Sequence, residues 1–333
     1  MSTRNLGLIG AGYWGKNLAR NFHALGVLRT VCDPSQHTLD SYGADYAGIF
    51  KTLEADELWT DPNIARVAIA APAVYHYRHA KAALLAGKDV FVEKPLCLDL
   101  AEAEELVALA NRENRVLMVG HLLQYHPHVE TLRGMLAHGE LGTLHYITSN
   151  RLNLGKIRRE ENALWSFAPH DLSVIVSLAG SVLPQQVQCT GGSFLVPGVC
   201  DTTLTALSFP GNLKAHVYVS WLNPFKEQKL TVVGSDGLAV FDDTKPWAEK
   251  LAIYRNHLSR DLNANHVPNK VAAVFRAVAE AEPLRAECQH YIECCDERKT
   301  PRTDGPEGLR VLRVLHAAQQ SLEAGGIAQF PAL

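Results

Sequence analysis

Between residues 5 and 120, short apolar and β-branched runs alternate with longer stretches in which apolar residues return every three or four positions. The runs at 5–9, 27–32, 66–70, 89–92 and 116–119 have the length and composition of buried strands. The stretches at 16–25, 75–86 and 100–111 carry helical period. Ala80, Ala83 and Leu84 share one face of the second, and Ala103, Leu106, Val107 and Ala110 share one face of the third. Asp99 stands at the N-cap position of that third helix, with Glu102 three residues on, the spacing of a capping box. Strand followed by helix, repeated, predicts a parallel sheet covered by helices, because parallel neighbours need a connection of helix length.

The pattern changes after Gly120, where the domain boundary is placed. A helical stretch at 127–138 leads to strand-type runs at 144–152, 186–192, 202–209, 213–221, 229–233 and 238–241. Turn signals such as Pro210-Gly211-Asn212 and Gly234-Ser235-Asp236-Gly237 join them and suit antiparallel hairpins. A helix at 169–178, opening on Pro169, interrupts the strands, and two more at 283–297 and 306–323 close the chain. Residues 256–269 are expected to be the least structured. The pattern therefore predicts an α/β chain with a doubly wound parallel sheet over residues 1–121 and a second α/β domain, mostly antiparallel, over 122–333.

Composition narrows the function without choosing it. A chain of 333 residues suits two domains at about 150 residues each. With 47% apolar and 20% charged residues and a net charge of −3, it carries no basic surplus for nucleic acid. The apolar run at 6–9 is too short for a signal segment or a bilayer span, so a cytoplasmic protein with no membrane partner is expected. The seven cysteines, at 32, 97, 189, 200, 288, 294 and 295, include no C-x-x-C pair and indicate neither zinc nor a disulfide framework. Cys294-Cys295 reads as two small residues on a C-terminal helix. His121, His126 and His128 lie close in sequence, but no carboxylate or cysteine completes a ligand set, and no metal is expected.

Candidate chemistry begins at Gly10-Ala11-Gly12-Tyr13-Trp14-Gly15, between the first strand and the first helix. Glycines there permit a tight turn, close approach of backbone to a pyrophosphate, and packing of helix on strand, while the helix start presents N–H groups to the anion. Asp33 ends the second strand, 18 residues beyond Gly15, where a carboxylate would bond a ribose 2′-hydroxyl and repel a 2′-phosphate. No Arg or Lys follows it in Cys32-Asp33-Pro34-Ser35-Gln36, so NAD is preferred over NADP. Glu93-Lys94-Pro95 lies at the carboxyl end of a Rossmann strand, the edge where open α/β sheets bind ligands. Lys94 is there either a proton-transfer group or an ordinary surface lysine. His170, in Ala168-Pro169-His170-Asp171 at the start of a helix, is either a second such group or a structural one.

Several motifs, taken in order along the chain, resemble one family. They are Gly10 to Gly15, Ala70-Ala71-Pro72 followed by His76, Glu93-Lys94-Pro95, Gly120-His121 through Pro127, Leu141-Gly142, Pro169-His170-Asp171, and Glu287-Cys288-Gln289-His290 with Pro301-Arg302-Thr303-Asp304-Gly305. The family is that of glucose-fructose oxidoreductase and inositol dehydrogenase (Gfo/Idh/MocA). The resemblance implies a Rossmann domain, a second α/β domain with a large open-faced antiparallel sheet, and a homo-oligomer, dimer or tetramer, built on that face. It implies oxidation of a sugar or cyclitol hydroxyl by NAD, with Lys94 and His170 matching the catalytic pair. Cofactor contacts are then expected from Gly10, Gly12, Tyr13, Trp14, Gly15, Asp33, Ala71, Pro72, His76, Glu93, Lys94 and Gln124. Many relatives carry an aspartate four residues before the histidine. Ser166 stands there in this chain and leaves Lys94 and His170 to share the proton work.

Tyr13-Trp14-Gly15-Lys16-Asn17 and residues 150–155 and 163–171 further resemble the subgroup acting on nucleotide-linked amino sugars. That implies oxidation of the 3-hydroxyl of UDP-N-acetylglucosamine to a 3-keto sugar, passed to a pyridoxal-phosphate aminotransferase on a lipid A route. The substrate would be held by Lys94, Arg151, Asn153, Arg158, Arg159, Asn162, Trp165, His170 and Asp171. Lys156, Arg158 and Arg159 form a cationic cluster suited to a pyrophosphate, or a solvated loop balanced by Glu160 and Glu161. Rival readings are a UDP-N-acetylglucosaminuronate 3-dehydrogenase, a dehydrogenase of free sugar or inositol, and a catalytically silent NAD-binding sensor or scaffold. Retention of both Lys94 and His170 argues against the last.

Overall fold

The computed structural model describes residues 4–255, 258–260 and 265–331. Two compact units divide the chain: residues up to Tyr125 together with Glu282–Leu312, and His126–Ala281 together with the residues from Arg313 onward.

In the first unit, β1 (Leu6–Ile9), α1 (Gly15–Ala24), β2 (Leu28–Cys32), α2 (Gln36–Asp40), β3 (Phe50–Thr52), α3 (Asp56–Thr60), β4 (Arg66–Ile69), α4 (His76–Leu85), β5 (Asp89–Glu93), α5 (Leu100–Arg112) and β6 (Leu117–Gly120) follow one another. The strands form one parallel sheet in the order β3-β2-β1-β4-β5-β6. Strand order reverses between β1 and β4, the switch point at which doubly wound sheets bind dinucleotides. The five strands read from the pattern are present, and a sixth, β3, joins the edge. Its three residues, two of them exposed, are too few to show a period. Asp99 caps α5, accepting from the Glu102 N–H at 3.1 Å.

The second unit holds α6 (Pro127–Ala137), β7 (Leu144–Leu154), α7 (Ala163–Leu178), β8 (Gln186–Gly192), β9 (Thr202–Ser208), β10 (Lys214–Ser220), β11 (Leu222–Gly234), β12 (Gly237–Asp242), β13 (Leu251–Arg255), β14 (Leu258–Arg260), β15 (His266–Pro268) and β16 (Val274–Phe275). Eight strands form one sheet in the order β16-β13-β12-β11-β7-β10-β9-β8, antiparallel except for the β7–β10 pair. β10 shows its sidedness: Ala215, Val217 and Val219 are buried, and Lys214, His216 and Tyr218 are exposed. α7 packs on β7, β9 and β10.

Three expectations are corrected. The interrupting helix starts at Ala163, six residues before Pro169, because Asn162 caps it by accepting from the Trp165 N–H; Pro169 lies inside the helix. β11 begins at Leu222 and reaches its expected core through an irregularity in register between Leu222 and Glu227, which hides the period. Within 256–269, β14 and β15 pair as a small antiparallel ladder; positions 256–257 and 261–264 lie outside the described residues.

The chain ends with α8 (Pro283–Glu297) and α9 (Gly305–Glu323). Leu284, Cys288, Tyr291, Ile292, Cys294 and Cys295 on α8 join the core of the first unit. Tyr291 meets Phe91 and Phe22 edge-on, with ring centroids 5.7 and 6.3 Å apart. A segment assigned to 122–333 by pattern alone thus belongs with the parallel sheet. An amphipathic helix shows which face it buries but not which sheet covers that face. Each large side chain so buried contributes about 1.5–3 kcal/mol.

Candidate active site

The glycine turn is shaped by close approach. Gly10, at φ +85°, runs against the end of β4, and a Cβ there would lie 2.6 Å from the Ala70 carbonyl carbon and the Ala71 nitrogen. A Cβ on Gly15 would lie 1.9 Å from the Gly10 oxygen. Gly12 differs: a Cβ there would meet nothing within 4 Å. That open space beside the start of α1 fits a pyrophosphate. Asp33 Oδ2 accepts from the Ala11 N–H at 2.8 Å and Oδ1 from the Ser35 N–H at 2.9 Å, so the ribose candidate also holds the turn. Tyr13 is 93% exposed.

At the neighbouring strand ends, His76 is buried. Its Nδ1 lies 2.7 Å from the Pro95 oxygen and its Nε2 lies 2.8 Å from the Ala71 oxygen. Burial pulls its pKa down against those two carbonyls, and Lys94 adds to the effect. His76 therefore clamps the segments carrying Ala71 and Lys94 together, while Pro72 stays exposed. Lys94 is half-buried at the end of β5. Glu93 before it is buried, accepting from the Trp14 indole N–H and, at 3.3 Å, from the Lys94 N–H. Burial pushes the Glu93 carboxyl up to about 7, against the Trp14 hydrogen bond and the charge of Lys94. Gln124 donates to Glu307 Oε1 at 2.9 Å, and His121 Nδ1 lies 2.6 Å from Glu307 Oε2, all three being buried.

In the second unit, His170 is half-buried on α7, with Ser166 one turn earlier and 7% exposed. Asp171 points into the protein. It accepts from Arg151 Nε at 2.7 Å, Arg151 Nη2 at 3.2 Å and Ser149 Oγ at 2.7 Å. Arg151 and Asp171, both expected to hold substrate, are thus engaged with each other. Asn162 Nδ2 and Trp165 Nε1 both donate to Gln319 Oε1, at 2.9 and 3.1 Å. Asn153 Oδ1 is buried with no hydrogen-bond partner among the described residues. Arg158 pairs with Glu160 and Glu161 in its own loop, and Arg159 is exposed. Sequence reasoning assigned no role to Glu307 or Glu287. Asp304-Gly305-Pro306-Glu307 did hold a signal, since Asp304 accepts from the Glu307 N–H at 2.8 Å and caps α9.

A doubly wound sheet with its glycine turn at the switch point, a carboxylate ending β2 and a lysine ending β5 define an NAD-dependent dehydrogenase acting on CH–OH groups. Residues 4–121 match the family model described as "Oxidoreductase family, NAD-binding Rossmann fold", and residues 129–240 match the "GFO/IDH/MocA C-terminal domain". The chain belongs to the Gfo/Idh/MocA oxidoreductase family. It is 33% identical to the uncharacterized oxidoreductase YdgJ of Escherichia coli (strain K12) over 74% of this chain and 73% of that protein. It is 25% identical to UDP-N-acetylglucosamine 3-dehydrogenase of Acidithiobacillus ferrooxidans over 96% of this chain and 97% of that protein. A solved structure bearing that enzyme's name, from the same organism, shares the fold with a TM-score of 0.83 at 23% identity, covering 96% of this chain and 98% of that one.

Proposed function

We propose that the protein oxidises the 3-hydroxyl of a UDP-linked amino sugar, UDP-N-acetylglucosamine, to the 3-keto sugar, which a pyridoxal-phosphate aminotransferase then consumes on a route to lipid A. The observation that carries this reading is the similarity to UDP-N-acetylglucosamine 3-dehydrogenase along 96% of this chain. Bound NAD supplies the hydride acceptor. Lys94 or His170 takes the hydroxyl proton, and the ammonium of Lys94 stabilises the developing alkoxide. Asn153, whose buried Oδ1 has no hydrogen-bond partner among the described residues, and the exposed Arg159 supply polar groups for the substrate. The open side of the eight-stranded sheet, where Tyr146, Leu204 and Tyr218 are exposed, is the surface for a homo-oligomer in the cytoplasm.

The test mixes protein and NAD with UDP-N-acetylglucosamine, its uronate, free N-acetylglucosamine and inositol, and follows NADH absorbance with the aminotransferase present to draw off ketone. Reduction with UDP-N-acetylglucosamine supports the reading. Reduction only with the uronate or a free polyol replaces the substrate, and binding without reduction by any of them refutes it. Lys94→Ala should still bind NAD but lose turnover by about 100-fold or more.

A further inference from the structure

Glu93 occupies an unusual place for a carboxyl. It is 8% exposed, and its Oε1 is tied through the Trp14 indole to the start of α1, beside the glycine turn. Its Oε2 is held by the backbone of Lys94, the candidate base. Gly120, at the end of β6, leaves room for it: a Cβ there would come within 3.0 Å of the carboxyl. α8 brings a second carboxyl near, Glu287, which is 0% exposed and has no hydrogen-bond partner for either oxygen among the described residues. An ionised carboxylate so placed costs far more than a neutral acid. Glu287 therefore keeps its proton, and Glu93 is the member of the pair that titrates.

The groups facing the pair come from each neighbouring element: Lys94 at the end of β5, His121 beyond β6, and Tyr125 and Cys288 toward Glu287. Burial pushes Glu93 toward neutrality while Lys94 and His121 pull it back, and Glu93 in turn pushes Glu287 up. A carboxyl balanced in this way responds to one added or removed charge nearby.

Oxidation of an alcohol supplies that change. The hydride carries both electrons of the C–H bond to the nicotinamide, whose ring passes from cation to neutral. The O–H pair becomes the second C=O bond, and one proton is left over. We propose that Glu93 is the proton acceptor that follows the charge of the ring, a carboxylate beside the oxidised cofactor and an acid beside the reduced one. Lys94, charged at rest, passes an ammonium proton to Glu93 as it accepts the proton of the substrate hydroxyl, so the lysine ends charged and Glu93 ends as the acid. This step rests on the dehydrogenase reading of the same site, but its test needs no sugar.

Dissociation constants for NAD and NADH are measured on the wild-type protein between roughly pH 6 and 8, and protons released on mixing are counted with an indicator dye. The affinity ratio favouring NAD over NADH should rise about tenfold across that range, with protons released by NAD and not by NADH. Glu93→Gln should flatten the ratio. A flat ratio in the wild type overturns the proposal. So does an undiminished slope in Glu93→Gln, which would assign the proton to Lys94 or His121. Should the variant fail to fold, equal proton release by the two nucleotides in the wild type overturns it as well. Failure to oxidise any UDP sugar would remove the proposed substrate and leave this linkage standing.

Discussion

Arg151 donates to both carboxylate oxygens of Asp171, from Nε at 2.7 Å and from Nη2 at 3.2 Å. The pair ties β7 to α7 at the residue that follows His170, with side chains only 15% and 3% exposed. Its charges hold the helix in place. Removing one partner leaves the other buried and uncompensated, so Arg151→Ala should cost about 3–5 kcal/mol in urea unfolding. An apolar double replacement, Arg151→Met with Asp171→Leu, should recover most of that stability. If Arg151→Ala unfolds at the wild-type midpoint, the pair does not hold α7.

Gly12 and Gly15 stand in one motif for different reasons. Gly15→Ala places a methyl group 1.9 Å from the Gly10 oxygen and forces the turn to move. It should lower stability by about 1–3 kcal/mol and abolish NAD binding together. Gly12→Ala meets nothing within 4 Å, so it should melt like the wild type while weakening NAD by about tenfold or more. Thermal melts beside NAD titrations separate the two, and unchanged NAD affinity in Gly12→Ala would show that the pyrophosphate lies elsewhere.

Asp33 holds the turn and is proposed to read the ribose, which makes its replacement informative. Asp33→Ala removes the acceptors of the Ala11 and Ser35 N–H groups, at about 0.5–1.5 kcal/mol each, and also removes the negative charge proposed to read the ribose. NAD affinity should fall and the preference over NADP should relax. Dissociation constants for both nucleotides check this, and an unchanged preference would mean that another group reads the ribose.

His128 is a pH-dependent liability of the second unit. It is completely buried, beside Trp247 and Phe241 at centroid distances of 4.6 and 6.2 Å, and neither ring nitrogen has a partner among the described residues. Burial, then the charge of His126, pushes its pKa from 6.5 down to about 4. Across that window the unfolded chain binds a proton that the folded chain does not, so stability is complete above 6.5 and falls as the pH drops toward 4. His128→Phe keeps a ring in the gap and removes the two unpartnered nitrogens. It should unfold less readily by about 1–3 kcal/mol at neutral pH and lose stability more slowly on acidification. An acid dependence identical to the wild type would assign the effect to another histidine, such as the buried His76.

The glycine turn was legible because its chemistry is local. The glycines of residues 10–15 and Asp33 could be read in advance because a tight turn, a helix start and a strand end are matters of neighbours along the chain. Arg151 and Asp171 could not be read as an ion pair, being 20 residues apart on a strand and a helix. A cationic side chain in the sequence looks the same whether it faces a substrate or a buried carboxylate. The burial of Glu287 and Glu307 could not be read for a related reason, since helical period marks a carboxyl as exposed or buried only once the covering sheet is known.

The amino-acid pattern by itself determined the doubly wound sheet, the glycine turn at its switch point, and the change to antiparallel strands after Gly120, because strand period, helix period and turn residues act over a few positions. Tertiary structure alone decided that α8 completes the core around Phe22 and Phe91, that Asn162 and not Pro169 starts α7, and that Glu93 shares its surroundings with Glu287. Those outcomes depend on which distant surface removes water from a side chain, and burial of that kind has no signature along the chain.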